Sequence, residues 1–191
     1  AHDFGKDIIP DGLRRGDHFH AHLFQNPTND DAPYWRDVGT IDSYYAANIE
    51  LLNPRLPLNL YDPVWSTVTY QRQLPPSLFI CQKGSATIES SMISNGCVIG
   101  NTEIRRSIIF SEVSVADGSK LDGVLALGGC KIGANSQLKN VILDNGCIVP
   151  PGTIVGYDTK SDAEKYFVTE TGVVVINRRM LGQGISYNPE F

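Results

Sequence analysis

Between positions 98 and 154 an aliphatic or cysteine residue returns about every six positions, with glycine, asparagine and aspartate between. Written beneath one another with a shift of 17 residues, the stretches 98–114, 115–131 and 132–148 align in columns. One column reads Val98, Val115, Ile132 and a second Ile104, Leu121, Leu138; a third reads Ile108, Leu125, Ile142 and a fourth Val113, Cys130, Cys147. Asn95-Gly96, Gly100-Asn101, Asp117-Gly118, Gly128-Gly129 and Asn145-Gly146 fall where a chain would turn corners. A hexapeptide period with such punctuation predicts a parallel β-helix whose coils have three short sides and whose inward aliphatics stack on those of the next coil. A repeat one residue short of three hexapeptides implies one tightened corner.

The pattern changes on either side. Residues 40–53 carry Ile41, Tyr45, Ile49 and Leu52 on one helical face, and Pro54 and Pro57 end that helix. Residues 3–15 read as partly helical and interrupted at Pro10-Asp11-Gly12, and Phe19–Phe24 as a short strand. Pro75-Pro76 marks a linker, placed at 66–84. Beyond Pro150-Pro151-Gly152, Ser161–Phe167 reads as a short helix and Val173–Ile176 as a strand, a cap for the solenoid before an irregular tail from Gly182. The domain reading is therefore residues 1–65, a linker at 66–84, a β-helix at 85–156 and a cap with tail at 157–191.

Composition narrows the function. Sixteen Lys+Arg stand against 21 Asp+Glu in 191 residues, with basic residues scattered, which argues against a nucleic-acid surface but leaves room for one anionic metabolite. No apolar run approaches a membrane span and no basic-then-apolar leader is evident, so the reading is a cytoplasmic protein with no membrane partner. Cys81, Cys97, Cys130 and Cys147 lack Cys-x-x-Cys spacing; they read as reduced structural thiols, with Cys130 and Cys147 stacked in successive coils.

The chemistry concentrates at Tyr34-Trp35-Arg36-Asp37-Val38-Gly39-Thr40-Ile41-Asp42. Asp37 offers a carboxylate to a divalent cation, Gly39 allows a sharp turn, and Thr40 can cap the helix that follows. Together with Asp3-Phe4-Gly5-Lys6-Asp7-Ile8-Ile9-Pro10, the hexapeptide repeats, and Gly172-Val173-Val174-Val175-Ile176 with Arg178, this stretch resembles bacterial glucose-1-phosphate adenylyltransferases along essentially the whole chain. The resemblance implies the C-terminal edge of an α/β nucleotidyltransferase domain followed by a left-handed parallel β-helix. It also implies substrates ATP and glucose 1-phosphate, Mg²⁺ as cofactor, and a homo-oligomer, usually a tetramer. In that family two carboxylates hold the metal, one of which maps to Asp37 as the catalytic and metal-binding residue. Trp35 and Arg36 would flank the substrate side of that carboxylate, although packing is the other role open to Trp35. Lys6 matches a family lysine and either lines the cleft or is merely solvated.

Regulation in the family uses anionic metabolites. Arg178 aligns with an arginine of the activator site in enteric bacterial members, while Asn145 and Gly182 stand where two further arginines would lie. The alternative for Arg178 is an unpaired surface residue. No phosphate-cradling glycine loop occurs in the first 70 residues. The chain therefore reads as the C-terminal part of a longer enzyme, inactive by itself. Two rival functions compete with this one. A hexapeptide acyltransferase needs a histidine base between coils, but His2, His18, His20 and His22 all precede the repeat. A non-catalytic regulatory or scaffold subunit of the same enzyme stays open.

Overall fold

The computed structural model describes residues 2–25, 33–56, 58, 60–63, 72–81 and 84–184. Two compact units divide the chain, Ala1–Tyr34 and Trp35–Phe191.

In the first unit, Phe4–Ile8 forms one wide π-type turn and Ile9–Arg15 the helix α1. Asp3 starts the turn by accepting from the Lys6 N–H at 2.7 Å. Pro10 does not interrupt α1, contrary to the sequence reading, because it falls in the first turn, where its missing N–H would have no partner. Gly16, at φ 82°, closes the helix in the left-handed conformation. Phe19–Phe24 forms no strand: the described residues of this unit offer no second strand to complete a ladder. Phe19 instead lies against Gly12, where a Cβ would stand 2.6 Å from its ring.

In the second unit, helix α2 (Ile41–Glu50) precedes a solenoid of short strands. These are β1 (Leu78–Phe79), β2 (Thr87–Glu89), β3 (Met92–Ile93), β4 (Val98–Ile99), β5 (Glu103–Arg105), β6 (Ile108–Ile109), β7 (Ser114–Val115), β8 (Lys120–Ala126), β9 (Lys131–Ile132), β10 (Gln137–Leu143), β11 (Ile148–Val149) and β12 (Ile154–Val155). Helix α3 (Thr159–Ala163) and the antiparallel pair β13 (Phe167–Val168) and β14 (Val174–Ile176) follow. One side of the solenoid is the parallel sheet β1-β4-β7-β9-β11; the other two sides share a sheet because β8 and β10 run continuously around a corner. The parallel pairing starts at Leu78, inside the stretch read as linker from its prolines.

The columns need two corrections. The first interior column is Ile99, Val115, Ile132 and Val149, since Ile99 pairs with Val115 and Val115 with Ile132. Val98 pairs with Ser114 and points outward, 41% exposed. The cause is the Gly100-Asn101-Thr102 corner, one residue shorter than its successors, so this coil steps by 16 and the later ones by 17. The column Ile104, Leu121, Leu138 is interior as expected and continues to Val155. The third column, Ile108, Leu125, Ile142, was expected inside and faces outward; Ile109, Ala126, Leu143 and Ile176 beside it fill the interior. It is buried nonetheless, because Tyr44, Tyr45, Ile49 and Leu52 of and just after α2 cover it.

Val113, Cys130 and Cys147 stack in the interior as read, with Cys97 heading the column. All four cysteines are free thiols and Cys81 is exposed. Burial pushes the Cys97 thiol up; the hydrogen bond shared by Cys130 and Cys147 raises the first and lowers the second, and all three sulfurs are enclosed in the interior as packing groups. Tyr166, Val168 and Leu181 pack against the interior cluster from the C-terminal segment. No helix of the described residues is long and apolar enough to cross a membrane.

Candidate functional site

Asp37 stands on an exposed turn immediately before α2, and its Oδ1 accepts the Gly39 N–H at 2.9 Å. This closed ring of side chain and backbone fixes the carboxylate locally. Gly39 is not in a left-handed conformation; its value is room, since a Cβ there would crowd Asp37 Oδ1 at 3.1 Å. Thr40 then caps α2 reciprocally with Ser43: the Ser43 N–H donates to Thr40 Oγ1 and the Thr40 N–H to Ser43 Oγ, each at 3.1 Å. The sequence Asp-x-Gly-Thr is thus a local device, with each residue stiffening the next.

Arg36 folds back along the helix. Its guanidinium grips Glu50 with two bonds, Nε to Oε2 at 2.7 Å and Nη2 to Oε1 at 2.6 Å, which holds the Glu50 carboxyl below the usual carboxylate range. Trp35 is 70% exposed. Lys6 lies on the first unit, with its side chain exposed. Arg178 is neither free nor isolated. Its Nε donates to the Gly184 carbonyl at 2.8 Å and its Nη1 to the Gly146 carbonyl, tying the C-terminal turn to a solenoid corner.

Three residues absent from the sequence reading of the site secure the helix that follows Asp37. The Tyr45 hydroxyl donates to the Gly123 carbonyl at 2.7 Å, and burial pushes that phenol up. The Thr171 hydroxyl, between β13 and β14, donates to Asp42 Oδ1 at 2.6 Å. Hydrogen bonds from Thr169 and Thr171 lower the Asp42 carboxyl. A shallow apolar cleft of about 360 Å³, lined by Val38, Gly39, Thr40, Ile41, Tyr44, Ile142 and Val175, opens beside the Asp37 turn.

No group of three or more His, Cys, Asp or Glu side chains converges among the described residues. Asp37, exposed and acceptor-only, fits a hard divalent cation as a single ligand, with further oxygens to come from phosphates, water or another carboxylate. The arrangement offers one exposed carboxylate held in a local turn.

Comparison with known proteins finds two family models along the chain. A nucleotidyl transferase family model matches residues 1–53, and a GlmU-like, C-terminal hexapeptide model matches residues 75–176. Among curated proteins the chain is 42% identical to a glucose-1-phosphate adenylyltransferase of Shewanella amazonensis over 97% of its own length and 44% of the relative's. Proteins of the same name from Nitrosospira multiformis and Nitrosococcus oceani are 42% and 43% identical, each over 98% of this chain and 45% of the relative. The chain thus spans less than half the length of the curated relatives it matches, and corresponds to their C-terminal part. With more than half of its residues matched by the hexapeptide model, the chain belongs to the GlmU-like, C-terminal hexapeptide family, and along nearly its whole length it is similar to the C-terminal part of glucose-1-phosphate adenylyltransferases.

Proposed function

We propose that this chain serves as the C-terminal part of a glucose-1-phosphate adenylyltransferase, which makes ADP-glucose and pyrophosphate from ATP and glucose 1-phosphate for glycogen synthesis. The observation that carries the reading is an intact, locally rigid Asp37 turn in a chain 42% identical to such enzymes along 97% of its length. In the reaction an oxygen of the sugar phosphate attacks the α-phosphorus of ATP in line, and pyrophosphate leaves. Mg²⁺, when bound, would offset charge on the phosphates. Asp37 would be one of its ligands, with Gly39 leaving the carboxylate room and the Thr40 cap fixing the turn. Arg36, held by Glu50, keeps the loop folded along α2.

Activity requires a phosphate-cradling glycine loop, which the sequence lacks, and a second carboxylate, which the family resemblance places outside these 191 residues, so the chain alone is expected to release no pyrophosphate from the two substrates. The assay is Mg²⁺-dependent ADP-glucose formation by the complete enzyme carrying this sequence. Asp37→Asn, nearly isosteric, should lower kcat by about 10²–10³-fold, the scale of losing one aimed electrostatic group; a substituted enzyme as fast as the parent would overturn the assignment.

Regulation by an anionic metabolite and assembly into a homo-oligomer, as a tetramer, belong to the same proposal. Arg178 would meet an anion with the part of its guanidinium not committed to the Gly146 and Gly184 carbonyls. The outward row Leu78, Val98, Ser114, Lys131, Ile148 is apolar and exposed at both ends, with Leu78, Val98 and Ile148 at 55%, 41% and 47%, and supports the solenoid flank as a subunit surface. The second reading, a scaffold or regulatory subunit, draws on Arg178 being spent on structural carbonyls; an inactive complete protein that alters a partner enzyme's kinetics would favour it.

A further inference from the structure

The described hydrogen bond of Asp37 is local, so its direction in the molecule is inherited from α2, which begins four residues later. The capping box between Thr40 and Ser43 couples the Asp37 turn to that helix with little slack. What orients Asp37 is therefore whatever fixes the first turn of α2.

The helix is fastened at two levels. Its middle and end are held by apolar packing over Ile108, Leu125 and Ile142 and by the Tyr45 hydroxyl on the Gly123 carbonyl. Apolar contact is non-directional and allows the helix to rock about its own midpoint. The first turn is held differently: Asp42 accepts the Thr171 hydroxyl at 2.6 Å, a charge-assisted, directional bond to the loop joining β13 and β14. That loop is itself ordered. Thr169 Oγ1 lies 3.3 Å from Thr171 Oγ1 and accepts the Val173 N–H at 3.0 Å, and the next residue opens β14, which pairs in register with β10.

From this we infer that Asp42 and Thr171 are positioning residues for Asp37: the β13–β14 loop pins the first turn of α2 to the end of the solenoid and so aims the metal-side carboxylate. The inference rests on the adenylyltransferase reading of Asp37. An exposed bond of this kind adds little to global stability, yet a misplacement of about 1 Å at a reacting group can cost on the order of 10²-fold in rate. The contact thus matters for geometry more than for folding.

The test is Thr171→Val, alone and combined with Thr169→Val since the Thr169 hydroxyl also acts on Asp42, with Thr171→Ser as the rescue. Hydrogen exchange on the full chain should show faster exchange for residues 38–43 in the valine variant and unchanged protection in the coils from 97 to 155. In the complete enzyme, kcat should fall about tenfold and the Mg²⁺ needed for half-saturation should rise, while KM for glucose 1-phosphate stays within about twofold. The serine variant should restore all three. Unchanged exchange at 38–43 on Thr171→Val, alone and combined, would overturn the pinning. An active parent whose valine variant keeps its kcat and Mg²⁺ dependence would overturn the positioning role alone. A complete parent enzyme that forms no ADP-glucose would instead overturn the reading of function, and with it the role of the pin.

Discussion

Two neighbouring columns of the same sheet are equally apolar and buried for different reasons. Ile109, Ala126, Leu143 and Ile176 are closed in by their own coils, whereas Ile108, Leu125 and Ile142, one residue away, are closed in by α2. The first is self-sufficient, because every coil supplies the next with its partner. The second is conditional: without the helix it would be an exposed hydrophobic stripe. One strip of the solenoid thus builds the fold, and its reverse side holds the element that presents Asp37.

The comparison can be broken from either side. The heaviest blow falls on the interior: Leu138→Ala, in the fully buried ladder between Leu121 and Val155, should cost about 2–5 kcal/mol. Chemical denaturation should show coils and α2 failing together. A variant aimed at the outer face should separate them. Gly123 has φ 66°, and a Cβ on it would meet Tyr45 Oη at 2.6 Å, so Gly123→Ala combines backbone strain of about 1–2 kcal/mol with eviction of the Tyr45 hydroxyl. Exchange should quicken in α2 while the interior coils keep their protection; equal quickening in both would mean that the two burials are one.

The gentlest probe is acid. Asp42 and Glu50 both titrate below their ordinary values of 3.8 and 4.5, so each favours the folded arrangement above that value. The contribution is lost as pH falls through the lowered values. Both carboxyls are only partly covered and the effect is small. Amide shifts of α2 should move on acidification before those of the coils, which hold their interior with uncharged side chains.

How much of this was readable depended on whether a signal was periodic. The hexapeptide period announced the solenoid, the Ile104–Leu121–Leu138 column and the cysteine stack. It misplaced Val98 because a uniform shift cannot register a corner shortened at Gly100-Asn101-Thr102. It sent Ile108, Leu125 and Ile142 inward because a strand buried on both faces loses the alternation that tells inside from outside. The Asp37 turn was legible since all its described partners lie within a few residues. The bond from Thr171 to Asp42 spans 129 residues, and no local pattern announces such a pairing. Arg178 was visible as a residue but not as a brace, because its acceptors are backbone carbonyls, which leave no mark in a sequence.

Repeat proteins ordinarily lengthen or shorten by whole coils at little cost, since each new layer reproduces the surface it covers. Here α2 lies across the layers of Ile108, Leu125 and Ile142 and is pinned beyond them at Thr171. Adding or deleting a layer within that span would shift the pin by one strand spacing, about 4.8 Å, relative to the helix. The height of this span of the solenoid is therefore a fixed dimension, set like the length of a strut by what stands at either end, and a coil duplicated within it would dislodge the pin.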